Sequence, residues 1–122
     1  MPRTPPVVLV VDDEPLIRLA AIDFLEDIGC VAVEAPDAEQ AIRILEARHD
    51  IRLVLTDVDM PGTMDGLKLA HFVRERWPPI HLIIASGKAL LEEAQLPNGA
   101  MFFSKPYEFG RISSAIAGLL AD

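Results

Sequence analysis

The sequence predicts an α/β fold in which five parallel strands form a doubly wound sheet with helices on both faces. Short apolar runs alternate with amphipathic helical patterns, so that one strand–helix unit recurs roughly every 20–25 residues. The first run, VVLVV at 7–11, is continuous and rich in β-branched residues, which is typical of strands buried on both faces. Hydrophobic residues make up 51% of the 122 residues, enough to fill the core that such a sheet needs.

The first half of the chain contains two strand–helix units. After VVLVV, Pro15 suits the first turn of a helix, and Gly29 ends it. Apolar residues recur every fourth position in this helix, at Leu16, Ala20, Phe24 and Ile28. The second strand is CVAVEA at 30–35, and the Asp37–Gln40 spacing is that of a capping box. The second helix that follows has an apolar face formed by Ala38, Ala41, Ile42 and Leu45.

The second half continues the alternation. The third strand is LVLT at 53–56, and the third helix has an apolar face at Leu69, Ala70, Val73 and Trp77. Pro78-Pro79 ends that helix. HLIIA at 81–85 and MFFS at 101–104 are the fourth and fifth strands, separated by a weak, short helical segment, KALLEEA, at 88–94. A closing helix has an apolar face at Ile112, Ala115, Ile116, Leu119 and Leu120.

Composition limits the classes of partner and the cellular location expected for the protein. The net charge of −8 disfavours nucleic acid and anionic membrane surfaces as partners and favours cations or basic surfaces. No stretch approaches the roughly 20 apolar residues of a membrane-spanning helix, and a signal peptide is not expected. The single cysteine, Cys30, fits a buried structural thiol in a reducing cytoplasm. We expect one cytoplasmic domain over 1–122, with a short tail at 1–5 and no output domain.

Polar residues follow the predicted strands where each one ends. Asp12, Asp13 and Glu14 follow the first strand, and Asp57 and Asp59 follow the third. Ser86-Gly87 follows the fourth strand and Lys105-Pro106 the fifth. Because ligands bind outside the carboxyl ends of strands in an open parallel sheet, these side chains are expected to converge at one edge.

These residue types share one chemistry. Clustered carboxylates bind a hard cation such as Mg²⁺, and a carboxylate can attack phosphorus to form an acyl phosphate. Such a transfer needs the charge on the phosphoryl oxygens to be neutralised by a cation, a lysine and hydroxyl or amide donors. Each residue alone has a simpler interpretation as a helix cap, a turn or a surface charge. Their joint occurrence at successive strand ends favours the functional interpretation.

Four segments resemble the receiver domain of bacterial two-component response regulators. They are VVDDE at 10–14, DVDMPGTMDG at 57–66, ASG at 85–87 and FFSKP at 102–106, in the order of that family. The resemblance covers essentially the whole chain and is closest in type to stand-alone receivers. It implies a flavodoxin-like (βα)₅ fold with strand order 2-1-3-4-5. It also implies a signalling protein that is not an enzyme in the usual sense but catalyses its own phosphorylation and dephosphorylation.

The resemblance implies roles for the acidic residues. Asp57 is expected to accept a phosphoryl group from phosphohistidine on a histidine kinase, possibly a hybrid one, or on a histidine phosphotransfer protein. Asp13, Asp57 and the backbone carbonyl of Asp59 are expected to bind Mg²⁺, with Mn²⁺ as an alternative ion. Asp12 is expected to act on the cation mainly through bound water.

The resemblance also implies roles for residues after the fourth and fifth strands. Ser86, next to Gly87, is expected to hydrogen-bond a phosphoryl oxygen. Lys105 is expected to pair with phosphate, aimed at the site by a cis peptide to Pro106. Phe102 occupies the aromatic switch position and is expected to turn inward when phosphate draws Ser86 toward it, changing the surface near the fourth and fifth strands.

Three departures from the common family pattern limit what is carried over. The loop after Asp57 has one additional residue, at Gly62-Thr63. The interval from Ser86 to Lys105 is about three residues shorter than in typical receivers, which shortens the fourth predicted helix. Phe102 lacks the hydroxyl of the tyrosine found in some relatives, so it is expected to favour the buried rotamer. The usual dimer interface is therefore not assumed.

Two other functions fit part of the sequence. LVLTDVDMPG also resembles the first motif of haloacid-dehalogenase-type phosphohydrolases, in which the first aspartate is a nucleophile and the second a general acid–base. The position of Asp12-Asp13 before this motif argues against that order of motifs. A receiver-like interaction module that is never phosphorylated is the second alternative, opposed by the retention of Asp13, Asp57, Ser86 and Lys105. Within the receiver interpretation, the Asp59 side chain is expected to tune hydrolysis of the acyl phosphate.

Overall fold

The computed structural model describes residues 4–60, 64–87, 95–104 and 108–120. Five parallel strands form one sheet in the order β2-β1-β3-β4-β5. The strands are β1 (Val7–Val11), β2 (Val31–Ala35), β3 (Ile51–Asp57), β4 (His81–Ser86) and β5 (Met101–Ser104). The described helices are α1 (Pro15–Asp27), α2 (Ala38–Ala47), α3 (Gly66–Arg76) and α4 (Phe109–Leu120). The predicted doubly wound sheet and its strand order are confirmed.

Alternating side chains of β1 supply two cores, one on each face of the sheet. Val7, Leu9 and Val11 pack with the apolar faces of α2 and α3. Val8 and Val10 pack with α1 and α4 on the opposite face. All five side chains are buried, and burial of each stabilises the fold by about 1.5–3 kcal/mol relative to exposure. The continuous apolar run in the sequence therefore reflects a central strand covered on both sides.

The helix α1 forms where the sequence predicted it, but its four-residue apolar repeat does not mark its buried side. Ala21 and Leu25 are buried, whereas Leu16 is 81% exposed. An α-helix turns every 3.6 residues, so a repeat of four drifts around the helix and leaves the core-facing stripe. Gly29 ends the helix in a left-handed conformation with φ of +92°, which glycine adopts readily.

Aspartate side chains cap the next two helices. An Asp37 carboxylate oxygen accepts a hydrogen bond from the Gln40 amide at 2.8 Å, as the capping spacing predicted. At α3, an Asp65 oxygen accepts from the Lys68 amide at 2.9 Å. Each cap satisfies a backbone N–H group that has no partner within the helix. These contacts fix where α2 and α3 begin relative to the strands before them.

Strands β3 and β4 are longer than the sequence predicted and reach the residues expected in the site. Strand β3 includes Asp57, and β4 includes Ser86. The predicted short helix at 88–94 lies outside the described residues.

Burial raises the pKa of the Cys30 thiol, as expected for a structural cysteine. None of the described helices is long and apolar enough to cross a membrane.

Candidate functional site

Strand register brings the predicted acidic residues to the carboxyl edge of the sheet. Val11 pairs with Thr56, so the next residues of the two strands, Asp12 and Asp57, lie side by side. Asp57 pairs in turn with Ala85, which places Ser86 one step further along the adjacent strand. The Val58 amide donates to the Ala85 carbonyl at 2.9 Å and holds the ends of these two strands together. The expected convergence is therefore present for Asp12, Asp57 and Ser86.

Three carboxylates meet at this edge. One oxygen from each of Asp12, Asp13 and Asp57 lies within 4.8 Å of the other two. Asp12 and Asp57 are almost fully buried, at 0% and 1% exposure. Carboxylates this close together and this poorly hydrated repel one another, and a divalent cation with oxygen ligands would offset that repulsion.

A buried oxygen of Asp13 supports the fit of a cation to this cluster. Within the described part of the chain, Asp13 Oδ1 is buried and has no hydrogen-bond partner. A buried carboxylate oxygen without a hydrogen-bond partner is unfavourable unless a cation or another donor contacts it. The donor set, the spacing and this oxygen together fit a hard divalent ion such as Mg²⁺.

Asp59 connects the end of β3 with the end of β4. Its backbone amide donates to Asp57 Oδ1 at 3.2 Å. Its side chain accepts a hydrogen bond from the Ser86 hydroxyl, with Ser86 Oγ 2.7 Å from Asp59 Oδ2. The sequence predicted that these three residues converge, but it did not predict the contact between the second aspartate and the serine.

Arg18 links β2 to the loop of Asp12, Asp13 and Glu14 that follows β1, here called the first acidic loop. Its guanidinium donates to the backbone carbonyl of Asp12 at 2.7 Å and to a carboxylate oxygen of Glu34 at 2.7 Å. The Asp12 carboxylate itself accepts from the Glu14 amide at 2.9 Å, so the loop is held from two sides. The Arg18 side chain is 15% exposed and that of Glu34 is 54% exposed, so the contact with the Asp12 carbonyl is better shielded from water than the ion pair.

The candidate switch residue Phe102 is half-buried on β5. It packs against the core shared by β1, α2 and α3, whereas its neighbour Phe103 packs against the opposite core. Its register partner on β4 is Ile84, two residues before Ser86. Lys105 and Pro106, including the predicted cis peptide between them, lie outside the described residues.

Two residues near the site have contacts that sequence reasoning missed. Gly66 is the last residue of the segment at 57–66, and its backbone lies directly against Asp57 and Val58. The Asp-Gly pair was the only signal, and it is common in turns without such a contact. Arg18 had no signal in the sequence, because its two partners are separated from it by six and sixteen residues.

Comparisons with known proteins agree with this geometry. Residues 8–117 match the family model described as the response regulator receiver domain. The nitrogen assimilation regulatory protein NtrX of Azorhizobium caulinodans is 33% identical over 109 residues, covering 86% of this chain and 24% of that protein. The sensor histidine kinase RcsC of Escherichia coli is 37% identical over 89 residues, covering 73% of this chain and 9% of that protein.

A solved structure shows the same fold. The response regulator TrrA of Thermotoga maritima, determined in complex with Mg²⁺ and BeF, superposes with a TM-score of 0.81 at 25% identity. The match covers 94% of this chain and 99% of that one. This chain thus spans a quarter or less of the two sequence relatives above but nearly all of this structural neighbour. The chain belongs to the response regulator receiver domain family.

Proposed function

We propose that this domain is a phosphoacceptor of a two-component phosphorelay and that Asp57 receives the phosphoryl group. The observation that carries the proposal is the meeting of the Asp12, Asp13 and Asp57 carboxylates within 4.8 Å at the carboxyl edge of the sheet. Asp57 lies at the centre of this arrangement, between the first acidic loop and the Ser86 hydroxyl. It is therefore the carboxylate that lies next to both the proposed cation ligands and the Ser86 hydroxyl.

In the proposed reaction, an oxygen of Asp57 attacks the phosphorus of a phosphohistidine on the partner. The new P–O bond forms as the P–N bond breaks, and the electron pair of the broken bond stays on the imidazole nitrogen. The Asp59 amide, which donates to Asp57 Oδ1, orients the nucleophile. Hydrolysis reverses the modification: water attacks phosphorus and releases phosphate and the free carboxylate.

Asp13, Asp57 and the Asp59 carbonyl would hold Mg²⁺ or Mn²⁺, with Asp12 acting mainly through bound water. When bound, the cation supplies positive charge that stabilises the phosphoryl oxygens during transfer. Asp13 is well suited to this role because its buried Oδ1 lacks a hydrogen-bond partner within the described residues. Lys105 would add a second positive charge, a role inferred from the family motif alone.

Phosphorylation would be transmitted through Ser86 and Phe102. Ser86 is buried at the end of β4, one strand away from Asp57, where its hydroxyl is suited to reach a phosphoryl oxygen. Phe102 is only half-buried and lies beside β4 on the adjacent strand, so it is positioned to respond when the end of β4 moves. The surface near β4 and β5 would then differ between the two states.

The proposed phosphodonor is a histidine kinase or a histidine phosphotransfer protein. The similarity to a segment of the sensor histidine kinase RcsC supports this class of partner. The net charge of −8 favours a basic docking surface on the partner and argues against nucleic acid as a direct ligand of this domain.

Incubation with acetyl phosphate tests the proposal. In the presence of Mg²⁺, intact-mass spectrometry should detect one phosphoryl group per chain, stable in acid and labile in base. Chelation of Mg²⁺ and the substitution Asp57→Asn should each abolish the adduct. Asp65→Asn is the matched control, since Asp65 caps α3 rather than facing the cluster, and it should still be phosphorylated. Absence of an adduct on the wild-type chain, with both acetyl phosphate and a phosphohistidine donor, would contradict the proposal.

A further inference from the structure

The hydrogen bond from Ser86 to Asp59 occupies the hydroxyl that the phosphorylated state is proposed to use. A serine hydroxyl has one hydrogen, so at any moment it donates to one acceptor. In this structure that acceptor is Asp59 Oδ2, 2.7 Å from Ser86 Oγ. Donation to a phosphoryl oxygen on Asp57 would require this bond to break.

The bond is of a kind that resists such an exchange. A hydroxyl donating to a carboxylate is charge-assisted and roughly twice as strong as a bond between neutral groups. Ser86 is 1% exposed, so water has little access to replace the carboxylate as acceptor. The end of β4 is therefore held to the segment after β3 by an interaction of more than ordinary strength.

We propose that Asp59 is a positioning residue whose carboxylate retains the Ser86 hydroxyl in the unphosphorylated state and so opposes the switch. This inference rests on the proposed function and adds to it a competition between two acceptors for one proton. The Asp59 backbone has separate contacts, since its amide donates to Asp57 Oδ1. A substitution that removes only the carboxylate therefore leaves that contact in place.

Removal of the carboxylate has two effects that need to be separated. It frees the serine hydroxyl, and it also removes a negative charge near the position of the phosphoryl group. The charge effect operates whether or not Ser86 is present, whereas release of the hydroxyl requires it. A double-mutant cycle with Asp59→Ala and Ser86→Ala isolates the second effect.

The affinity for beryllofluoride in the presence of Mg²⁺, measured by calorimetry on the four proteins of the cycle, tests the proposal. Asp59→Ala should tighten beryllofluoride binding more in the chain with Ser86 than in the Ser86→Ala background, by a factor of roughly ten to a hundred, as expected for one hydrogen bond to a charged group. Equal factors in the two backgrounds, or weaker binding in Asp59→Ala, would overturn it.

A second measurement compares metal-free variants, with the beryllofluoride-bound wild type as the reference state. A fluorine label on the Phe102 ring reports the position of the switch by NMR. In the metal-free protein, Asp59→Ala should move this signal toward its beryllofluoride-bound position, with Asp59→Asn in between because the amide oxygen still accepts a weaker bond. An unchanged signal in both variants would contradict the inference. Wild-type protein that binds no beryllofluoride, or binds it equally well as Asp57→Asn, would instead overturn the proposed function and this inference together.

Discussion

The first residue of α3 is in contact with the backbone of the proposed phosphoacceptor: a β-carbon on Gly66 would lie 1.8 Å from the carbonyl oxygen of Asp57. The Gly66 amide also donates to the Val58 carbonyl at 3.1 Å. The end of β3 and the start of α3 are therefore held together at a position where a side chain cannot be accommodated. This contact lies at the backbone of Asp57, whose position is also fixed by its pairing with Ala85 in the sheet.

Gly66→Ala should destabilise the protein by about 1–3 kcal/mol, because backbone atoms on both sides must move to relieve the overlap. The free energy of unfolding in urea measures this effect. Gly118→Ala is the matched control, since Gly118 lies in α4 with no atom near its missing β-carbon. It should leave stability unchanged or raise it by up to about 1 kcal/mol through helix propensity. Equal destabilisation by the two substitutions would contradict this account.

Much of the fold could be predicted because local patterns and the sheet agree. The run at 7–11 became β1 with the same bounds, since a continuous apolar strand buried on both faces leaves no ambiguity. The Asp37 cap was predictable because both partners lie three residues apart. The buried face of α1 was not predictable, because this helix has apolar residues on more than one side. Only packing against the sheet determines that Ala21 and Leu25 face the core.

The candidate site was predictable at the level of residue types. Strand ends identify Asp12, Asp13, Asp57 and Ser86, since topology alone brings the ends of parallel strands together. The Ser86–Asp59 bond was not predictable, because it depends on side-chain rotamers across a separation of 27 residues. The contact of Gly66 with Asp57 likewise depends on the path of the loop between them rather than on any local pattern.

Arg18 is predicted to position the first acidic loop. Arg18→Lys keeps the positive charge but loses the planar fork that reaches both the Asp12 carbonyl and Glu34, so the affinity for Mg²⁺ should fall by up to about tenfold. Calorimetric titration with Mg²⁺ measures the change. Arg43→Lys alters an exposed pair with Glu39 and should leave Mg²⁺ affinity as it is. A wild-type affinity for Mg²⁺ in Arg18→Lys would show that the Arg18 guanidinium does not position the first acidic loop.

The Asp59 side chain is predicted to favour hydrolysis of the acyl phosphate, both by orienting water and by drawing Ser86 away from the phosphoryl group. Asp59→Asn should therefore lose phosphate several-fold more slowly than wild type. Decay of radiolabelled phosphoprotein after removal of the donor gives the rate. Glu14→Gln removes one negative charge from an exposed position near the site and should keep the wild-type rate. If Asp59→Asn decays at the wild-type rate, Asp59 is a bystander in hydrolysis.

His81 is predicted to make stability depend on pH. Burial, with Arg52 and Arg74 nearby, lowers the pKa of His81 below its ordinary value of 6.5. The unfolded chain therefore binds a proton at His81 near pH 6.5, whereas the folded chain binds it only at lower pH. The free energy of unfolding is therefore unaffected by this group above pH 6.5 and decreases as pH falls below that value. Urea midpoints between about pH 7.5 and about pH 5.5 should decline more for wild type than for His81→Gln. Parallel declines would contradict the prediction.

Chemical mapping of the phosphorylated residue tests the central claim most directly. Borohydride reduces an aspartyl phosphate to homoserine, so reduction after treatment with acetyl phosphate and Mg²⁺ marks the acceptor within the peptide that holds both Asp57 and Asp59. Fragmentation by mass spectrometry should locate homoserine at position 57 alone, and Asp57→Asn should yield none. Homoserine at position 59, or at 12 or 13, would contradict the assignment of Asp57 as the phosphoacceptor.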